Sequence, residues 1–220
     1  MSISLNIDTA IETASVCVAR NESVLGLKMN PSQKDSAAWL HVAIEDLLEE
    51  VGISLLELDV IAVTEGPGSY TGLRVGMATA KGLCYTLNKP LIAVNTLLTM
   101  ANAAVAREDA ELLCPMIDAR RMEVFTAVYD KSLNTIVNPT NIILNELSFN
   151  NLLEKRVLFF GNGSRKFKSI TTHKNACFAD IELSAASMVP LVNERFLKGK
   201  FTELAYSEPF YGKAFHSPAH

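Results

Sequence analysis

The sequence is short of several things that particular functions need. No apolar run approaches the roughly 18 to 20 residues of a membrane-spanning helix, and residues 1–8 read straight into a strand pattern without a basic leader. A soluble, cytoplasmic protein is therefore expected. Its four cysteines, Cys17, Cys84, Cys114 and Cys177, stand far apart, with no Cys-x-x-Cys pair and no nearby histidine. That spacing excludes a structural zinc site, and the apolar surroundings predict four buried free thiols. His41, His173, His216 and His220 are scattered, without His-x-x-x-His or His-Glu-x-x-His spacing, so neither a metal hydrolase nor a nucleophile–histidine pair can be built. Glycine and proline together fill only 19 of 220 positions, and 49% of residues are hydrophobic, which excludes disordered and collagen-like chains.

An excess of positive charge is also missing. The formal net charge is -4 and the isoelectric point about 5.6, unsuited to a protein that grips nucleic acid alone through a phosphate-neutralising surface. The charge is uneven: residues 1–105 carry 6 Lys and Arg against 11 Asp and Glu, and residues 106–220 carry 14 against 13.

What is present is an ordered series of hydrophobic patterns. Alternation at Ile3, Leu5 and Ile7, then at Val16 and Val18, predicts a hairpin with a polar tip at Asp8-Thr9-Ala10. A third strand over 23–29 is broken by Pro31-Ser32. Ala37, Leu40, His41, Ile44, Leu47, Leu48 and Val51 then follow helical spacing, and Gly52 ends that helix. A continuous apolar strand over 58–64 leads through Gly66-Pro67-Gly68 into a second helix ending near Asn88-Lys89-Pro90. A strand over 91–94 and a helix over 96–105 complete a βββαβαβα half: an antiparallel meander continued by parallel strands with crossover helices. The same opening recurs as strands over 112–117, 123–129 and 135–143. A helix over 148–154, a strand over 157–160, a Gly161-Asn162-Gly163 turn and a helix over 185–198 follow. Two similarly organised halves predict two lobes, 1–105 and 106–220.

The segment Gly66-Pro67-Gly68-Ser69-Tyr70-Thr71-Gly72-Leu73-Arg74-Val75-Gly76 joins a buried strand to a helix, which is where backbone N–H groups and the helix dipole favour an anion. Pro67 removes one donor and no Gly-Lys-Ser/Thr follows, so this is not a Walker A loop. Within the helix, Gly68, Gly72, Gly76 and Ala80 fall on one stripe at four-residue spacing. Each interior glycine costs about 0.8 to 1 kcal/mol relative to alanine, so some element must approach this stripe closely, either within the chain or from a partner. The extra apolar coverage of Ala37, Ala38, Trp39 and Leu40 on the first helix favours a partner.

Asp8-Thr9-Ala10 resembles the phosphate-facing hairpin tip of the actin, sugar kinase and Hsp70 superfamily, without the glycine that brings backbone to phosphate; Asp8 capping its own turn is the alternative. Asp118-Ala119-Arg120-Arg121-Met122-Glu123 places both signs of charge at hairpin distance, explained by surface ion pairing. Arg165, Lys166, Lys168, His173 and Lys174 form a stretch without an acid, read as a solvated loop that can touch RNA or an acidic partner.

Together, Ile7-Asp8-Thr9-Ala10, the long glycine segment continuing as Ala78-Thr79-Ala80-Lys81-Gly82-Leu83, and Asp118-Ala119-Arg120-Arg121-Met122-Glu123-Val124 resemble the TsaB (YeaZ) family. The match is dense through residue 125; beyond it stand the Gly161-Asn162-Gly163 turn and Pro209-Phe210-Tyr211. The resemblance implies an α/β, two-lobed actin/sugar kinase/Hsp70-like (ASKHA, ribonuclease H-like) fold with mixed sheets flanked by helices. It implies a non-catalytic subunit in N6-threonylcarbamoyladenosine formation beside the anticodon of ANN-decoding tRNAs. Such a subunit pairs with the catalytic TsaD, or with a second copy when alone; the ATPase TsaE docks on the pair, and TsaC supplies the intermediate. The chain then has no cofactor of its own: ATP and metal sit on partner subunits, and tRNA is held mainly by the complex. Partner contact is implied at Ala37, Leu40, His41, Ile44, Gly72, Leu73, Arg74, Gly76, Met77 and Ala80, and a degenerate nucleotide site at Asp8, Thr9 and Gly68. Gly76→Arg is accordingly expected to keep the fold and abolish pairing. The chain departs from the family at Lys34-Asp35-Ser36 with His41 standing alone, at Phe125 for tyrosine, and at Gly212-Lys213. The competing enzyme reading is a small ASKHA-type ATP-dependent phosphotransferase using Asp8 and the turn over 66–72. Its missing parts are a second phosphate hairpin and an adenosine pocket.

Overall fold

The computed structural model of the chain describes residues 1–30 and 36–212. The Pro31-Ser32 break, the Lys34-Asp35 departure and Lys213 lie outside them. Two compact units emerge, Met1–Ala103 with Glu182–Pro209, and Ala104–Ile181 with residues 210–212. The division at 105/106 does not contain the return of Glu182–Pro209 to the first unit. That return has a physical cause, because Ala185 and Val189 pack on Cys17 and Ala19 of the first sheet.

The first unit is built on β1 (Ile3–Asp8), β2 (Ala14–Arg20), β3 (Ser23–Asn30), α1 (Ser36–Val51), β4 (Val60–Gly66), α2 (Tyr70–Leu87), β5 (Leu91–Asn95) and α3 (Thr96–Ala103). The strands order as β3-β2-β1-β4-β5; β1 pairs antiparallel with β2 and parallel with β4. The period of two along β2 sends Val16 and Val18 into a core with Leu40, Ile44, Leu47 and Leu48 of α1 and Met77 and Ala80 of α2. Cys17 and Ala19 face the opposite way, onto Ala185 and Val189. Gly26 lets α1 lie close on β3, since a Cβ there would stand 2.7 Å from Leu47 Cδ1 and 2.8 Å from Val51 Cγ1. Gly52 ends α1 in the left-handed region at φ +67, and Asn88 ends α2 at φ 53.

The second unit repeats the plan with β6 (Leu112–Asp118), β7 (Glu123–Asp130), β8 (Thr135–Ile143), β9 (Val157–Phe160), α4 (Ser164–Lys168) and β10 (Ala176–Phe178). Its order β10-β9-β6-β7-β8, read from the other edge, matches the first sheet, with the antiparallel meander and the parallel pairs in the same places. Phe149, Phe159, Phe167 and Phe178 form its aromatic core, with the Phe159 and Phe167 centroids 4.8 Å apart. The expected helix over 148–154 is instead a run of turns. Phe149 adopts φ 66 to set its ring in that core, and Asn145 Oδ1 accepts from Leu147 N at 2.9 Å, an alternative to helical bonding. The stretch read as a solvated loop contains α4, anchored by fully buried Phe167.

After the second unit, a 3-10 turn (Ala185–Met188) and α5 (Val189–Leu197) return to the first sheet; the one helix expected over 185–198 starts anew at Val189, where Pro190 supplies no N–H. Ala185 N donates to Ser15 Oγ at 2.8 Å, Arg195 Nη1 to Ala93 O at 2.5 Å, and Ala93 N to Thr202 Oγ1 at 2.8 Å. Among the described residues no helix is long and apolar enough to cross a membrane.

Cys17, Cys84 and Cys114 are buried, and desolvation pushes each thiol up to about 12. Cys177, expected to be buried, is half-exposed because β10 is a three-residue edge strand. In the native protein at pH 8, an aromatic disulfide reagent is expected to titrate Cys177 first. The other three thiols are expected to react only on unfolding; rapid reaction of all four would contradict their burial.

Candidate functional site

The turn leaving β4 and the tip joining β1 to β2 meet at the start of α2. Ser69 caps the helix: its N–H donates to Ala10 O at 2.7 Å and its hydroxyl accepts from Gly72 N at 3.3 Å. Thr9 Oγ1 donates to Gly72 O at 2.7 Å. A Cβ at Gly68 would overlap Ala10 O, one at Gly72 would overlap Thr9 O, and one at Gly76 would overlap Thr9 Oγ1. The close neighbour that the glycine stripe requires is therefore the chain's own hairpin tip. This corrects the expectation that the stripe meets a partner.

The degenerate nucleotide residues Asp8, Thr9 and Gly68 lie about this contact, with the Asp8 carboxyl and the Thr9 hydroxyl hydrogen-bonded to other groups of the chain. Asp8 is buried; its Oδ1 accepts from Ala10 N at 3.0 Å and from Thr64 Oγ1 at 2.8 Å, so it caps its own turn. Burial pushes its carboxyl above the ordinary range, against the lowering effect of those two hydrogen bonds. Glu65, at the end of β4, is also raised by burial, with Arg195 acting the other way. Among the described residues no group of three or more His, Cys, Asp or Glu could hold a metal ion.

The residues expected at a partner surface divide by helix face. Leu40, Ile44, Gly72, Leu73, Gly76, Met77 and Ala80 are buried against the sheet, while Ala37, His41 and Arg74 are exposed. The Arg74 guanidinium lies 4.0 Å over the Tyr70 ring. The outward face of α2 carries Ala78, Gly82 and Tyr85, and Tyr85 is 83% exposed. Two adjoining hollows of about 360 and 400 Å³ run between α1 and α2, sharing His41, Leu55 and Leu83; Ile44 and Leu48 line the first, Ala78 and Gly82 the second. Among the described residues nothing lies within 4 Å of a Cβ position at Gly82, so none of them asks for glycine there. The helical angle separates Gly82 from the Gly72–Gly76 stripe and could have revealed this face; residue type alone merges them.

The family model "TsaD: tRNA N6-adenosine threonylcarbamoyltransferase" matches residues 26–207. A relative in Bacillus subtilis (strain 168), called tRNA threonylcarbamoyladenosine biosynthesis protein TsaB, is 32% identical over 170 residues, 76% of this chain and 73% of that protein. The chain belongs to the TsaB (YeaZ) family. The Escherichia coli (strain K12) protein of the same description is 28% identical over 215 residues, covering 94% of this chain and 93% of that one. The crystal structure of YeaZ from Pseudomonas aeruginosa aligns with a TM-score of 0.79 at 24% identity, covering 96% of this chain and all of that one, and shares the fold. The family's α/β fold, with mixed sheets flanked by helices, is the one the chain adopts.

Two measurements test the site's construction. Gly72→Ala gains about 1 kcal/mol of helix propensity but forces a methyl into Thr9 O, so a net loss on the order of 2 kcal/mol is expected on chemical denaturation; Gly76→Arg, set against Thr9, is expected to unfold the unit rather than merely block pairing. An unchanged denaturation midpoint for Gly72→Ala would refute the contact. Because the folded pKa of Asp8 lies above its unfolded value, its ionisation opposes folding. The stability of wild type relative to Asp8→Asn is expected to fall as pH rises from about 4 through the folded pKa.

Proposed function

We propose that the chain is the non-catalytic partner subunit in N6-threonylcarbamoyladenosine formation on ANN-decoding tRNAs. It pairs with TsaD through the outward face of α1 and α2 and forms with it the platform on which TsaE docks, while TsaC supplies the threonylcarbamoyl intermediate. In isolation the same face joins two copies. ATP and metal then belong to the partners, and the assembly works in the cytoplasm.

Family membership and the descriptions of the Bacillus subtilis and Escherichia coli relatives support the pathway. The observation that carries the pairing is Gly82, an interior helical glycine without a neighbour among the described residues, flanking an apolar groove between two helices. A helix that tolerates this cost of about 1 kcal/mol gains from letting another backbone come close. The Asp8 turn supports the non-catalytic role, because its carboxylate and hydroxyl bind the chain itself.

The test is titration calorimetry against the TsaD of the same organism, followed by modification of an ANN-decoding tRNA with TsaE, TsaC, ATP, threonine and bicarbonate, with and without this chain. Binding and chain-dependent modification are expected. Gly82→Ala is expected to stabilise the isolated chain by up to about 1 kcal/mol, and Gly82→Arg to weaken pairing at least tenfold. Absence of binding, or modification that proceeds equally well without the chain, would overturn the reading.

A further inference from the structure

The repeated plan places a second aspartate turn where the first unit has Asp8. Asp118 ends β6 as Asp8 ends β1, and Gly161-Asn162-Gly163 follows β9 as Pro67-Gly68 follows β4. The glycine turn again leans on the central strand, for a Cβ at Gly163 would stand 3.0 Å from Ile117 C and 3.1 Å from Asp118 N. The two turns differ in what they hold. In the first unit Thr9 and Ala10 turn inward and fill the space over the glycines; in the second, Ala119 and Arg120 stand at those positions, and Arg120 and the following Arg121 are exposed to solvent.

This tip is held in place from several sides. Asp118 Oδ1 accepts from Arg120 N at 2.6 Å and from Lys166 Nζ at 2.6 Å, Lys166 Nζ also donates to Glu123 O at 3.0 Å, and Asp118 N donates to Asn162 Oδ1 at 2.8 Å. Arg120 and Arg121 both sit in the left-handed region, at φ 70 and φ 45, where Asn or Gly would be the easy choice. Asp118 pairs with Lys166, and Glu123 accepts from Asn141 Nδ2 at 2.6 Å. Arg120, Arg121 and the exposed Arg165, at the start of α4 beside the same turn, make no ion pair among the described residues. A chain with net charge -4 thus places three exposed guanidinium groups without an ion pair among the described residues at one end of one sheet. His173 and Lys174, in the same acid-free run, stand at the other end, beside the start of β9, and are not part of this group.

We propose that Arg120 and Arg121, flanked by Arg165, form a contact surface for the phosphate backbone of RNA, with Asp118 and Lys166 as positioning residues. Planar guanidinium forks suit phosphate oxygens, and a braced turn presents them without ordering a loop on binding. The proposal rests on the reading above for its substrate, a tRNA, and assigns this subunit a direct share of the hold on it.

The test uses the complex with TsaD and a fluorescent ANN-decoding tRNA, titrated across salt concentration. In Arg120→Asn/Arg121→Gly both residues favour a left-handed turn, so the charges go while the fold is kept or stabilised. The slope of log affinity against log salt is expected to shrink by about 1.4 to 1.8, two phosphate contacts, and affinity near 0.1 M salt to fall on the order of tenfold or more. Arg120→Lys/Arg121→Lys is expected to restore most of the slope. A double variant that binds tRNA like wild type across salt would overturn the inference while leaving the partner-subunit reading intact. A variant that instead loses TsaD binding would assign the turn to a protein interface and also overturn it. If the wild-type complex neither binds nor modifies tRNA, the reading it rests on fails with it.

Discussion

The first unit depends on the contact between the Thr9-Ala10 tip and the glycines of α2. It is an approach of backbone to backbone, made possible because Gly68 and Gly72 have no side chain in the space that Ala10 O and Thr9 O occupy. From it follow the seat of α2, the capping of its first turn by Ser69 and Ala10, and the burial of Asp8. The same contact leaves the outward side of α2 as the side with unexplained composition, where Gly82 borders the groove with α1. Two sets of glycines on one helix thus answer different needs. One set fits the chain to itself, and Gly82 belongs to the surface we assign to a partner.

Much of this was legible in the sequence. Strands expected over 112–117, 123–129 and 135–143 coincide with β6, β7 and β8 within a residue or two. The end of α1 and both ends of α2 are written in Gly52, Ser69 and Asn88, whose conformations depend on local chemistry. The failures share a tertiary cause. Residues 148–154 have helical spacing, but Phe149 belongs to an aromatic cluster whose other members are 10 to 29 residues downstream, and it takes φ 66 to reach them. β10 exists because it pairs with β9, and three residues carry too little pattern to announce it. At the site, the glycine spacing declared a close approach without saying by what. Seven of the ten proposed interface residues are the apolar ones that the sheet itself claims, since residue type reports burial and not which body does the burying.

The two units show how one topology can be turned to different ends by the residues at one turn. Both carry an aspartate at the end of the central strand and a glycine turn on the parallel neighbour. In the first, small residues fold inward and the carboxyl is pushed up by burial. In the second, the aspartate stays near solvent, bound to a lysine, and positions two arginines outside. The fold supplies the position, and a few side chains decide whether it is filled or presented.

The return of Glu182–Pro209 to the first unit also fixes an order of events during synthesis. Until that stretch leaves the ribosome, Cys17 and Ala19 lack Ala185 and Val189, Ser15 lacks its bond from Ala185, and the edge of β5 lacks Thr202. The second unit, by contrast, has its sheet and aromatic core within Ala104–Ile181, one uninterrupted segment. The half made first is therefore finished last, and a nascent chain stalled before residue 182 presents the apolar side chains of Cys17 and Ala19 without their cover to the folding machinery.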